Sequence, residues 1–211
     1  MNPTVYSAFR SIVAELTPHG RVLEVGALPD KRALLAMPEL SHCQRIGINL
    51  AAPSRGDGFD VIQGNGNDMS MFADNSFDLV LSNATLEHDQ RFWLTCAEIR
   101  RVTKIGGRAV IGVPAFDPST DVVNLGIPKP DGIDPEAWNV CTLTFRYHGA
   151  PFDYYRFTEG AVREILFEEG IRPVVISHFQ VQSRQTGACP RFVSGFPLGH
   201  SEFKSGLFMK A

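Results

Sequence analysis

Two stretches, SFDLVLSN (76–83) and GRAVIGV (107–113), carry long apolar cores rather than clean alternation. Strands that read this way are covered on both faces, and such strands belong to parallel sheets flanked by helices. Three further β-rich runs precede them: RVLEV (21–25), QRIGINL (44–50) and DVIQG (60–64). Helical patterns lie beside them. In RFWLTCAEIRRV, Phe92, Cys96, Ile99 and Val102 recur at helical spacing, with Gly106-Gly107 as the expected stop. Val5, Phe9, Ile12, Val13 and Leu16 line one side of TVYSAFRSIVAEL. Thr158 is placed to cap TEGAVREILFEEG, which Gly170 ends. Beyond it, PVVISHFQVQ (173–182) is β-rich, and SGLFMKA (205–211) is a second strand expected to pair back on it. The expectation is a single α/β domain over 1–211. It is a doubly wound, mostly parallel seven-stranded sheet of Rossmann-like form, with a C-terminal antiparallel hairpin. Ligands of such sheets sit outside the carboxyl ends of the strands, where the strand order reverses.

Residues 114–157 break this alternation. They show no sustained period, yet hold six of the fourteen prolines and eight of the aromatic residues. Disordered segments are poor in aromatics, so an irregular lid or substrate insertion is expected here, against a merely structural excursion.

Composition narrows the partners. The formal net charge is −3 and no Lys/Arg block occurs, so nucleic acid is not expected. No apolar run approaches the ~20 residues of a membrane span, and MNPTVYSAFR lacks a signal-peptide core. Cys43, Cys96, Cys141 and Cys189 are far apart and form no C-x-x-C, so neither metal nor disulfides are expected. A cytoplasmic protein, with a homodimer as the oligomer considered, agrees with these features.

The chemistry concentrates at turns. Glu24-Val25-Gly26 closes the first strand, but Ala27, Leu28, Pro29 and Asp30 follow where a dinucleotide cradle would repeat glycine. A carboxylate before the turn opposes a pyrophosphate and suits an ammonium or sulfonium ligand. LEHD (86–89) carries His88, a candidate general base. YHGAPFDYYRFT (147–158) gathers His148, Asp153, Tyr154, Tyr155 and Arg156. Tyr and Arg hold planar or polar ligands with little rotamer entropy. The competing reading pairs Arg156 with Asp153 and packs the tyrosines into the lid.

Four pieces in order carry a family resemblance over about Arg21 to Glu169. They are VLEVGA, IGINL, GNGNDMSMFADNSFDLVLSNATLEH and EIRRVTKIGGRAVIGVP. Together they resemble a class I S-adenosylmethionine-dependent methyltransferase of the small single-domain type. The resemblance implies that Glu24 and Gly26 lie against the methionine part of S-adenosyl-L-methionine, and that Asn49 reaches the ribose. It implies Asn67, Asp68 and Met69 beside the adenine, and Asn83 near the amino-acid end. Leu28 and Asp30 replace later glycines of the family's first motif, and Asn49 replaces its usual acid. The stretch around Asp153, Tyr154 and Arg156 resembles methyltransferases found near glycan and cell-surface biosynthesis. That implies a small-molecule acceptor, such as a sugar or glycan precursor, contacted by Tyr154, Tyr155 and Arg156. His148 or His88 would act as base, with Asp153 orienting. An inactive cofactor-binding or interaction module on the same fold, or a nicotinamide-dependent enzyme, are the alternatives.

Overall fold

The computed structural model describes residues 3–31, 33–114, 154–157, 161, 171–173, 176–183, 187–194 and 208–210. The sheet is built on six strands: β1 (Arg21–Val25), β2 (Gln44–Asn49), β3 (Ser54–Arg55), β4 (Asp60–Gln63), β5 (Phe77–Asn83) and β6 (Thr103–Pro114). Their order is β3-β4-β2-β1-β5-β6. β4, β2, β1, β5 and β6 run parallel, and the two-residue β3 lies antiparallel on the edge. The order therefore reverses between β1 and β5, the place where open α/β sheets take ligands.

Further along, β7 (Ile171–Pro173), β8 (Ile176–Ser183), β9 (Gly187–Ser194) and β10 (Phe208–Lys210) are also strands. β8 turns back antiparallel on β9, and β9 meets the end of β6. β10 lies antiparallel between β6 and β7. Among the described residues, 208–210 meet the expected partner 173–182 through Phe208 opposite Pro173. The expected helix at 158–170 and most of the expected lid lie outside the described residues.

Side chains one residue apart leave opposite faces of a strand. On one face Leu23, Val25 and Val80 join Phe92, Cys96, Ile99 and Val102 of α2 (Phe92–Val102), together with Phe157. On the other, Val22, Leu79, Leu81 and Val110 meet Val5, Phe9, Ile12 and Val13 of α1 (Pro3–Leu16). α1 and α2 follow the periodicity of the sequence because their apolar stripes have a sheet to cover.

α2 ends earlier than the Gly106-Gly107 pair suggested. Thr103 is already extended, its hydroxyl donates to the Ile99 carbonyl at 2.6 Å, and β6 begins there. A short side chain that takes up a terminal carbonyl ends the helix without a glycine. Gly106, with φ of +75°, turns the chain inside β6 instead.

Between β1 and β2 stand two 3₁₀ turns, Leu34–Ala36 and Pro38–Leu40, which bury Leu34, Leu35 and Leu40. Among the described residues, no helix is long and apolar enough to cross a membrane.

Candidate functional site

A cavity of about 580 Å³ opens outside the carboxyl ends of β1, β2, β4 and β5. Val25, Gly26, Ile48, Asn49, Leu50 and Gly64–Asn67 form one half; Ala84, Thr85, His88–Arg91, Thr95 and Tyr154 form the other. Its volume lies in the range of small-molecule and cofactor sites.

Gly26 holds φ of +84°, where a side chain is strained. A Cβ there would lie 2.1 Å from the Thr85 hydroxyl oxygen. That hydroxyl donates to the Val25 carbonyl at 3.2 Å and so locks the turn to the end of β5. The Gly26 and Ala27 N–H groups both donate to the Ile48 carbonyl, at 2.9 and 3.0 Å. The turn therefore offers no free N–H pair to a pyrophosphate, and the missing glycines are not needed for one.

Asn49 lies in the wall, and its amide is partly committed. Nδ2 donates to the Ala27 carbonyl at 2.8 Å, while Oδ1 accepts from the Ala51 N–H at 3.0 Å. An acid could not make the first bond, which accounts for the amide here. Oδ1 keeps one lone pair for a ligand.

Asn67 also lines the cavity. Its Nδ2 donates to Asp89 Oδ2 at 2.6 Å and to the Thr95 hydroxyl oxygen at 2.9 Å. Thr95 donates to the same Asp89 oxygen at 2.7 Å, and the Arg91 N–H donates to Asp89 Oδ1 at 2.9 Å. Asp89 thus gathers three donors and joins the loop after β4 to the start of α2. Its acceptor-only carboxylate fixes the Asn67 amide with Oδ1 turned away from it.

Sequence reasoning overlooked Thr85, Asp89, Gln90, Arg91 and Thr95. An acid three residues before the first residue of a helical stripe was the available signal for Asp89.

His88 and Tyr154 complete the set of expected residues found in the wall. The Tyr154 hydroxyl accepts from Gln90 Nε2 at 2.9 Å, and the Tyr155 hydroxyl donates to the Gln90 carbonyl at 2.9 Å. The Tyr155 ring packs edge-on against Phe92 in the core. Arg156 is half-buried and donates to the Tyr155 carbonyl at 2.8 Å. Tyr155 and Arg156 stand outside the lining, as supports behind it. His148 and Asp153 lie outside the described residues.

Four other expected residues are not in the lining. Asp68 is exposed and accepts from the Ser70 N–H at 3.1 Å; bonds from Ser70 hold its carboxyl below the usual range. Met69 is fully buried in the core under α2. Asn83 turns toward Gly112 and Phe9, on the α1 face.

Glu24 is also absent from the lining. It shares a face with Val22, is 5 % exposed, and accepts from the Leu35 N–H at 3.1 Å. Burial pushes its carboxyl up to about 7, against the lowering effect of the Leu35 and Leu34 N–H groups. Its carboxylate caps the 3₁₀ turn.

Residues 29–111 match the family model described as a methyltransferase domain. The match spans 83 of the 211 residues and marks that stretch as similar to a methyltransferase domain. No curated protein matches the chain. Among solved structures, it is similar to the 1,6-didemethyltoxoflavin-N1-methyltransferase of Burkholderia thailandensis. The TM-score is 0.61 at 16% identity, over 91% of this chain and 77% of that one. A SAM-dependent methyltransferase from Methanosarcina mazei gives 0.61 at 17% identity, over 90% and 92%. At such identities these structures show the shared fold.

The cavity fits the cofactor. The sulfonium nucleoside has no phosphate, and the first turn has no N–H pair to offer one. Ile48 and the exposed Leu50 supply apolar surface beside the acceptor oxygen of Asn49. Among the described residues, no cluster of His, Cys, Asp and Glu could hold a metal.

Proposed function

We propose that this cavity binds S-adenosylmethionine and that the chain methylates a small-molecule acceptor, of which a sugar or glycan precursor is one class. One observation carries the reading: a cavity of nucleoside size at the strand-order reversal, closed beneath by Gly26 on Thr85. The cofactor supplies a methyl group on a sulfonium, an activated leaving group. Asn49 Oδ1 accepts from a ribose hydroxyl. Asn67, set by Asp89 and Thr95, presents Oδ1 to an amine at the base edge. Ile48 and Leu50 flank the ring, and Gly26 allows close approach of the methionine chain. His88 lies in the acceptor half and takes the proton of a hydroxyl nucleophile; a neutral amine needs no such help. The tethering of Tyr154 and Tyr155 to Glu87 and Gln90 brings the end of the 114–157 segment to the rim, where a lid excludes water. A single domain over 1–211, in which a C-terminal antiparallel pair extends the five parallel strands, belongs to the same proposal.

Calorimetric titration of the full chain with S-adenosylhomocysteine, with NAD alongside, tests the reading. Micromolar affinity for the sulfur ligand and none for NAD is expected. Folded protein that binds neither would refute it.

A further inference from the structure

The two halves of the cavity differ in charge. Among the described residues, the half formed by the ends of β1, β2 and β4 has no charged side chain. The other half contains two, Asp89 and Arg91, beside His88. Asp89 is consumed by the Arg91 N–H, Thr95 and Asn67. It engages the backbone of Arg91, not its guanidinium. That guanidinium makes no hydrogen bond or ion pair with any described residue. A cation in a cavity wall whose neighbouring acid is already occupied is placed to receive an anion from outside.

Tyr154 stands beside it. Its N–H donates to the Glu87 carbonyl at 2.7 Å and its hydroxyl is held by Gln90, yet the residue remains 41% exposed. An aromatic ring fixed in this way offers a flat apolar surface with little further loss of rotamer entropy. Arg91 immediately follows Gln90 in sequence, and Arg91 and Tyr154 both line the cavity.

We infer that the acceptor carries an oxyanion, a carboxylate or a phosphate, next to a ring or other planar face. The oxyanion lies on Arg91 and the face on Tyr154. The inference rests on the cofactor reading above in one respect. A bound sulfonium adds a second positive charge to this space, which favours an anionic acceptor over a cationic one.

The test uses benzoate, phenyl phosphate and uncharged benzamide as probes. Each is titrated by ligand-observed NMR into the full chain, with and without saturating S-adenosylhomocysteine. One or both oxyanions should bind at least tenfold more tightly than benzamide, and their ratio separates carboxylate from phosphate. Arg91→Gln should cost the oxyanion at least tenfold, and Arg91→Lys should restore part of the loss. Tyr154→Leu should weaken all three probes. S-adenosylhomocysteine affinity should stay within about twofold in Arg91→Gln. Equal binding of benzamide, no oxyanion binding, or indifference to Arg91→Gln overturns the inference. So does a tenfold loss of S-adenosylhomocysteine in Arg91→Gln, which would put the guanidinium on the cofactor's own carboxylate. If the wild type binds an oxyanion through Arg91 but not S-adenosylhomocysteine, the oxyanion subsite stands and the cofactor reading fails.

Discussion

Replacing Glu24 by Gln tests the buried carboxyl beneath the first turn. Its pKa, about 7 in the fold, lies above the ordinary 4.5 of a glutamate. Between these values the folded chain holds a proton that the unfolded chain has released. Stability is then lost as pH rises through that window, and the carboxyl contributes no further change well above 7. At 1.36 kcal/mol per pH unit, the charged form costs about 3 kcal/mol at pH 8 and under about 1 kcal/mol at pH 5. Gln keeps an oxygen for the Leu34 and Leu35 N–H groups and never ionises. Its NH₂ is buried in their place, at a cost of about 1–3 kcal/mol that does not depend on pH. The variant is therefore expected to be less stable than wild type at pH 5. It should gain about 2.5 kcal/mol on wild type between pH 5 and pH 8. Urea unfolding of both proteins at closely spaced pH values measures this difference directly. A difference that stays constant from pH 5 to 8 would mean that Glu24 ionises normally. The carboxylate would then have to be better solvated or better paired than its surroundings in the structure allow.

Two further substitutions probe the turn. Gly26→Ala combines a strained φ with a clash on the Thr85 hydroxyl, and should cost about 2–4 kcal/mol in denaturant unfolding. Adding Thr85→Ala should recover the clash but not the strain; complete recovery would show that φ contributes nothing. Asn49→Asp restores the acid usual in the family but loses the donor to the Ala27 carbonyl. We expect a loss of about 1–3 kcal/mol and no tighter binding of S-adenosylhomocysteine. A stable variant with higher affinity would show that the tether is dispensable.

Much of the fold could be read in the chain itself. The long apolar cores of 76–83 and 107–113 pointed to strands covered on both sides, and β5 and β6 are those strands. The 3.6-residue stripes of α1 and α2 likewise named the residues that meet the sheet. These patterns are local, so a window of a dozen residues contains them. Gly26, Asn49, Asn67, His88 and Tyr154 were named from motifs and do share one cavity. Motifs did not give the direction of their neighbours. Glu24 is one residue from Val25 in sequence, but the pleat sends it to the opposite face. Asp68 and Met69 adjoin Asn67, yet one faces solvent and the other the core.

What only the tertiary structure decided are the contacts between distant segments. The sequence by itself determined an α/β sheet with a glycine turn after β1. It contained no sign that Thr85 would fill the space over Gly26, since the two are far apart until β1 and β5 pair. Nor could it show that Asp89 would gather Asn67 and Thr95, or that Tyr154 would be tied to Gln90. Periodicity reports which side of an element is apolar. Which polar groups meet depends on the strand order and register that bring those elements together.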